Sequence, residues 1–439
     1  MSAAALSTLL FHTPLNGKQK PRVLFIGSYP PRECGIATFT EDIRSAYDLG
    51  SDEASDVLAI TDTGKTYDYP AYVGAQIIRD DRQSYLKAAW FANDHAAEVI
   101  NIQHEYGLFG GDRGAYVLDF LGELRKPVII TLHTTLPDPD HQLRFVTREL
   151  CNRSDGIIVL AYAGRRVLEE HYGIDARKVH VVLHGVPDVP LRRSQHFKRS
   201  LGLENKTVLA TFGLLSRGKG IEYVIEALPA IFERHPDAHY LLLGETHPEV
   251  KNYEGEAYRE SLQQRVAELG LADRVTFKNH YMQDDEVVAS LEATDIYVSP
   301  SLDPNQIVSG TLSYAVACGR VVVATESTYA KELLADGRGI TVPFRDSQSV
   351  SAAVNAVLDD AHLRSSIETA AYRFGRLMTW PKVARAYQNT FCAAMEHRAM
   401  RSVPAAALDT STSKLWNGAL QRRASTLTTS LSESGSRGK

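Results

Sequence analysis

The chain has 439 residues, of which 44% are hydrophobic and 23% charged, a length too great for one core, so two domains with appended segments are expected. Its 48 Lys and Arg against 53 Asp and Glu give a formal net charge of -5, which offers no global attraction to nucleic acid or an anionic membrane. The four cysteines, Cys34, Cys151, Cys318 and Cys392, form no CxxC pair, which argues against a metal knot or a disulfide framework and fits a reducing compartment.

In chain order, residues 1–20 read as disordered. The Leu9-Leu10-Phe11 patch has no basic segment before it, so a secretory signal is a poor fit. No apolar run reaches spanning length. The expectation is a cytoplasmic protein, with a peripheral contact at the inner face of the membrane left open. Val23–Ile26 is the first buried strand, followed by a helical segment, Ile36–Tyr47, with Ile36, Phe39, Ile43 and Tyr47 on one face. Strand-like runs recur at Val57–Ile60, Val99–Ile102, Val128–Leu132, Ile157–Leu160 and Val179–Leu183. Helical patterns lie between several of them at Arg113–Leu124, Gln142–Cys151 and Ala161–His171. This alternation predicts a doubly wound parallel sheet.

The pattern breaks at Gly185–Lys198, rich in Pro and charge, which reads as an interdomain hinge. It restarts with strands at Val208–Phe212, Tyr240–Leu243, Val275–Phe277, Ile296–Val298, Val321–Ala324 and Ile340–Val342. Helices are expected at Ile221–Arg234, Glu256–Leu269, Asp285–Ala293, Ser309–Ala317 and Ser347–Leu358, with one more at Trp380–His397. The α/β fold class is therefore two facing Rossmann-like domains, 21–187 and 188–378, with a terminal helix over 379–399. A Ser/Thr-rich tail, 400–439, is expected to be disordered.

Polar groups collect at predicted strand ends, where α/β proteins bind ligands. After the first strand, GSYPPRECGIATF places Gly35 at a helix start, which serves equally for a tight turn or for close approach to a ligand. After Phe212, GLLSRGKG carries Arg217 and Lys219 beside a helix N-terminus. Two cations there suit a diphosphate, or else are solvated loop charges. Ser309, Gly310 and Thr311 open another helix, whose free N–H groups favour phosphate. His104 and Glu105 end one strand and His133 another, so both would face one cleft. A histidine there can hydrogen-bond a substrate near neutral pH, although for each alone a backbone-satisfied ring is the simpler reading. The same holds for His184.

The segments PRVLFIGSYPPRECGIATFTEDI, VIITLH, KVHVVLHGVPD, GLLSRGKGIEYVIEALPAI, LLLG, DRVTFKNHY and ATDIYVSPS…SYAVACGRVVVAT resemble glycosyltransferase family 4. The resemblance runs from about Pro21 to about His397 and extends to WPKVARAYQNTF, similar to that family's terminal helix, which crosses back onto the N-terminal domain. It implies the GT-B fold and a retaining, metal-independent transferase that takes a nucleotide-sugar as co-substrate. By position it puts Gly35 at the donor diphosphate or the acceptor face and His133 on the donor sugar. Lys219, helped by Arg217, would hold the diphosphate, and Ser309, Gly310 and Thr311 would bind the distal phosphate through backbone N–H groups. Asn279 through Tyr281 would face the nucleobase, with His104 and Glu105 on the acceptor side. No metal ligands and no cofactor are implied.

The chain departs from the family where a pair of glutamates usually stands eight positions apart, since Gln306 and Tyr314 occupy those positions. Gln306 can still bond sugar hydroxyls, Asp303 can supply a carboxylate nearby, and Tyr314 can stack on or bond a ribose. The expected function is transfer of a hexose to a saccharide or lipid-linked acceptor in polysaccharide or glycoconjugate synthesis. A glycoside phosphorylase and a non-catalytic sugar- or nucleotide-binding module stand as alternatives.

Overall fold

A computed structural model describes residues 20–51, 54–191 and 195–402. Apart from Lys20 and residues 400–402, the two expected terminal segments lie outside them. Both sheets belong to one compact unit ending at Ala394. The first has seven strands in the order β3-β2-β1-β4-β5-β6-β7. They are β1 Val23–Gly27, β2 Asp56–Thr61, β3 Val73–Ile78, β4 Val99–His104, β5 Val128–Leu132, β6 Gly156–Val159 and β7 Val179–Val181. The second has six, in the order β10-β9-β8-β11-β12-β13. These are β8 Thr207–Phe212, β9 Ala238–Leu243, β10 Val275–Lys278, β11 Ile296–Ser299, β12 Val321–Thr325 and β13 Ile340–Val342. All pairings are parallel.

Helices cover both faces, so the central strands are buried throughout and rich in Val, Ile and Leu. This is the GT-B arrangement of two Rossmann-like domains. In each sheet the strand order reverses beside the first strand, between β1 and β4 and between β8 and β11. The crevice beyond the strand C-termini at such a reversal is where an open α/β sheet accepts a ligand.

The last helix, Trp380–Ser402, returns to the first sheet. Its Tyr387 hydroxyl lies 3.1 Å from Thr131 Oγ1 of β5, and its Phe391 ring meets Tyr47 edge-on at 5.6 Å. The linker after β7 is tied to the start of that helix. Val186 N–H donates to Met378 O at 3.0 Å, and Trp380 N–H donates to Val186 O at 3.0 Å. Gly185 lies flat on Trp380, where an added Cβ would sit 2.0 Å from the indole.

Several elements differ from the sequence expectation, among them the helices Arg82–Asp94 and Thr328–Leu333, which were not anticipated, and three more. The strand β3 was not foreseen because its half-exposed, glycine-containing VGAQII gives little apolar signal. The helix expected over Arg113–Leu124 begins only at Val117, since Arg113 (φ 52°) and Gly114 (φ 77°) break the first turns. The helix Ala361–Gly375, capped by Asp360 at His362 N and Leu363 N, was also not anticipated. Among the described residues no helix is long and apolar enough to cross a membrane.

Candidate functional site

A cavity of about 410 Å³ opens where the C-terminal ends of the two sheets face each other. From the first sheet come Gly35 and Phe39 after β1, Glu105 after β4 and His133 after β5. The second contributes Gly213 and Lys219 after β8, Gly244 after β9, Tyr281 after β10, and Gly310, Thr311 and Tyr314 after β11.

The second domain's wall is shaped by close backbone approach. Gly213 (φ 134°) and Gly244 (φ 116°) end adjacent strands, and a Cβ on Gly244 would lie 2.3 Å from Gly213 O. With no side chains there, a ligand can reach the strand ends. The helix Gly310–Ala317 points its first turn at the same space, capped by Ser309 Oγ accepting from Leu312 N at 3.4 Å. The N–H groups of Gly310 and Thr311 precede any intrahelical partner and carry the positive end of the helix dipole. Lys219 completes this wall. Desolvation pulls its pKa down, and its ammonium makes no hydrogen bond or ion pair with any described residue.

The wall from the first domain is built of neutral rings and a tied carboxylate. His133 is 7% exposed, its Nε2 lies 2.8 Å from Gln103 Oε1, and Phe39 meets it edge-on at 4.7 Å. Burial, with smaller contributions from His184 and His104, pushes its pKa down to about 3. Glu105 accepts from Thr134 Oγ1 at 2.5 Å and from Tyr106 N at 2.9 Å, while burial raises its pKa.

Several residues singled out from the sequence lie elsewhere. Arg217 leaves the cavity because its short 3-10 turn sends it to the opposite side from Lys219. There its Nε donates to Glu254 at 2.6 Å and its guanidinium covers Tyr258. His104 follows the two-residue alternation of β4 to the other face of the sheet. It is fully buried, stacked on Phe109 at 5.1 Å, with neither ring nitrogen bonded. Asn279 and Asp303 are exposed and do not line the cavity, and Gln306 engages its neighbours through its backbone, accepting from Tyr329 N at 2.9 Å. Ser309 acts as the helix cap.

The cavity residues not picked out from the sequence include two carboxylates. The Tyr314 hydroxyl lies 3.3 Å from Asp42 Oδ2, on the helix Gly35–Asp48 of the first domain, and 3.3 Å from Asp284 Oδ2 of the second. Burial, then the charge of Asp284, raises Asp42 to about 8, and burial also raises Asp284. Both carboxylates sit in unremarkable helical stretches, and only the facing of the two sheets brings them together. His184, singled out from the sequence, also lines the cavity and donates from Nδ1 to Gly185 O at 2.7 Å, which leaves Nε2 beside Gly310.

A two-lobed α/β fold with a cavity between its facing strand ends defines the class, and comparison with known proteins narrows it. Residues 54–188 match the family model described as Glycosyltransferase Family 4, and residues 193–374 match that of Glycosyl transferases group 1. Two relatives show the range of similarity. D-inositol 3-phosphate glycosyltransferase of Corynebacterium glutamicum is 27% identical over 59% of this chain and 65% of its own length. An uncharacterized glycosyltransferase of Methanocaldococcus jannaschii is 29% identical over 84% of this chain and 97% of its own. The chain thus spans just under two thirds of the inositol-phosphate relative it matches. Among solved structures, Anabaena HepE in complex with UDP and glucose superposes with a TM-score of 0.67 at 18% identity, covering 85% of this chain and all of that one. Sucrose-phosphate synthase from Thermosynechococcus elongatus superposes with a TM-score of 0.68 at 17% identity over the same shares. The chain belongs to the family 4 type of GT-B glycosyltransferases.

Proposed function

We propose that this chain transfers a hexose, with retention of configuration, from a nucleotide-diphosphate sugar to a saccharide or lipid-linked acceptor in glycoconjugate synthesis. The observation that carries the reading is the unpartnered Lys219 ammonium in the same cavity as the open N–H groups of Gly310 and Thr311. A half-buried cation without a counter-charge, beside a helix N-terminus and two side-chain-free strand ends, suits the diphosphate of a donor. Relatives whose names specify glycosyl transfer, and a neighbour that binds UDP and glucose, support the same assignment.

On this reading the diphosphate lies against the second domain and the acceptor enters along the first. Among the cavity carboxylates, Glu105 is tied to Thr134 and Tyr106, Asp42 and Asp284 are engaged by Tyr314, and burial with the neighbouring Glu33 carboxylate raises the pKa of Glu245, so none is offered as an ionised, unengaged nucleophile. The acceptor oxygen therefore attacks the anomeric carbon on the face that the phosphate leaves. The bond to the phosphate oxygen breaks with its electron pair, and that oxygen takes the acceptor proton. Lys219 and the helix N–H groups stabilise charge that grows on the phosphate in the transition state, and this is the role otherwise given to a metal ion. The facing domains exclude water and so suppress hydrolysis of the donor.

Thermal-shift screening with UDP, GDP, ADP and inorganic phosphate tests the assignment. One nucleoside diphosphate should raise Tm by several degrees, as a ligand at a hundred times its Kd adds about 2.7 kcal/mol. A response to phosphate alone would favour a phosphorylase, and no response to any of the four would remove the donor site.

A further inference from the structure

Four polar side chains run from the interior of the first sheet to the cavity, and their hydrogen bonds have only one consistent direction. Asn101, Gln103 and Thr131 are fully buried, and His133 nearly so. Asn101 and Gln103 share a face of β4, opposite Ile129 and Thr131 of β5. Asn101 Nδ2 lies 3.2 Å from Ile129 O and 3.3 Å from Thr131 Oγ1. A backbone carbonyl can only accept, so this end of the Asn101 amide is its NH₂ group, and its oxygen faces Gln103. Gln103 Nε2 donates to that oxygen at 2.6 Å, which turns Gln103 Oε1 toward His133 Nε2, 2.8 Å away. An amide oxygen cannot donate either, so Nε2 carries the imidazole proton. His133 Nδ1 is then a bare lone pair, with no hydrogen-bond partner among the described residues, on a ring that lines the cavity.

We propose that Gln103, itself held by Asn101, is a positioning residue that fixes His133 as the Nε2–H tautomer and so presents Nδ1 to the sugar as an acceptor for a hydroxyl. An apolar pair at 101 and 103 would fill the sheet interior without needing partners, whereas this polar row is costly unless every member is satisfied. What the row yields is one fixed orientation at its only open end. Burial keeps the ring neutral, which preserves that lone pair at working pH. The cavity therefore selects a sugar that offers a hydroxyl at this point over its deoxy analogue, whose loss would leave Nδ1 buried and unpaired. This role rests on the sugar-transfer reading, but the tautomer itself does not.

The test is long-range ¹H–¹⁵N correlation on the full chain labelled at histidine, with the His133 signals assigned by their loss in His133→Gln. The wild type should show Nε2 protonated and Nδ1 bare. Gln103→Met should release the ring into a tautomer mixture, and Gln103→Glu, which restores an acceptor, should return it to Nε2–H. With UDP-glucose as the donor probe, Gln103→Met should lower kcat about tenfold or more, the direction expected of a misplaced imidazole proton, while UDP affinity is unchanged. An Nδ1–H signal in the wild type, or a tautomer unmoved by Gln103→Met, would overturn the proposal. The spectra decide this whether or not UDP-glucose is turned over, so failure of the relay and failure of the transferase reading are separate results.

Discussion

Lys219 and Arg217 stand two residues apart, and their surroundings assign them different work. Arg217 already has its counter-charge in Glu254 and a ring to lie on in Tyr258, with a side chain 61% exposed. Such a pair contributes little in water. Lys219 has neither partner and sits in the cavity, where a phosphate would restore the interaction that desolvation removed. Lys219→Ala should therefore lower turnover roughly a hundredfold, the scale of one preorganised electrostatic contact. Arg217→Ala should stay within about fivefold of the wild type. Steady-state rates of the two variants side by side check this, and equal losses would show that Arg217 swings in to share the anion.

At the scale of the element, the helix Gly310–Ala317 shows what the sequence could reveal and where it stopped. Its cap, its glycine start and the apolar strand before it are local signals, and local signals also give the alternation behind both sheets and the crossing helix at Trp380. Lys219, His133 and Gly310 were legible for the same reason, as His133 follows directly on a strand, Gly310 opens a helix and Lys219 stands in the loop just before one. Asp42 and Asp284 were not, because nothing beside either of them in the chain distinguishes it from a solvated helix charge, and their meeting is a long-range event. The first turn of this helix also explains why position 310 is small. A Cβ there would lie 3.2 Å from His184 Nε2, tighter than an ordinary contact, on the side where N–H groups must stay open. Gly310→Val should weaken UDP binding at least tenfold, about 1.4 kcal/mol, while Tm without ligand moves little. Calorimetric titration measures the affinity, and an unchanged Kd would show that the anion does not use this helix end.

For the whole molecule, the carboxyl pair Asp42 and Asp284 makes the apposition of the two domains sensitive to pH. One hydroxyl proton on Tyr314 cannot satisfy two carboxylates. The other groups that raise Asp42 and Asp284 are also acidic, Glu41 and Asp285, so a proton held between the pair is what offsets their charge. Asp42 rises to about 8 in the folded chain from an ordinary value of 3.8. Between those limits the folded protein holds a proton that the unfolded chain has released. Linkage then requires stability to fall as pH rises through that window and to level off above about 8. Asp42→Asn removes the titrating partner and keeps a donor for Asp284. The variant should match the wild type near pH 4 and exceed its Tm increasingly toward pH 8. Melting curves across that range decide the matter, since a gain of equal size at both ends would mean that the asparagine merely packs better and that no proton bridges the domains.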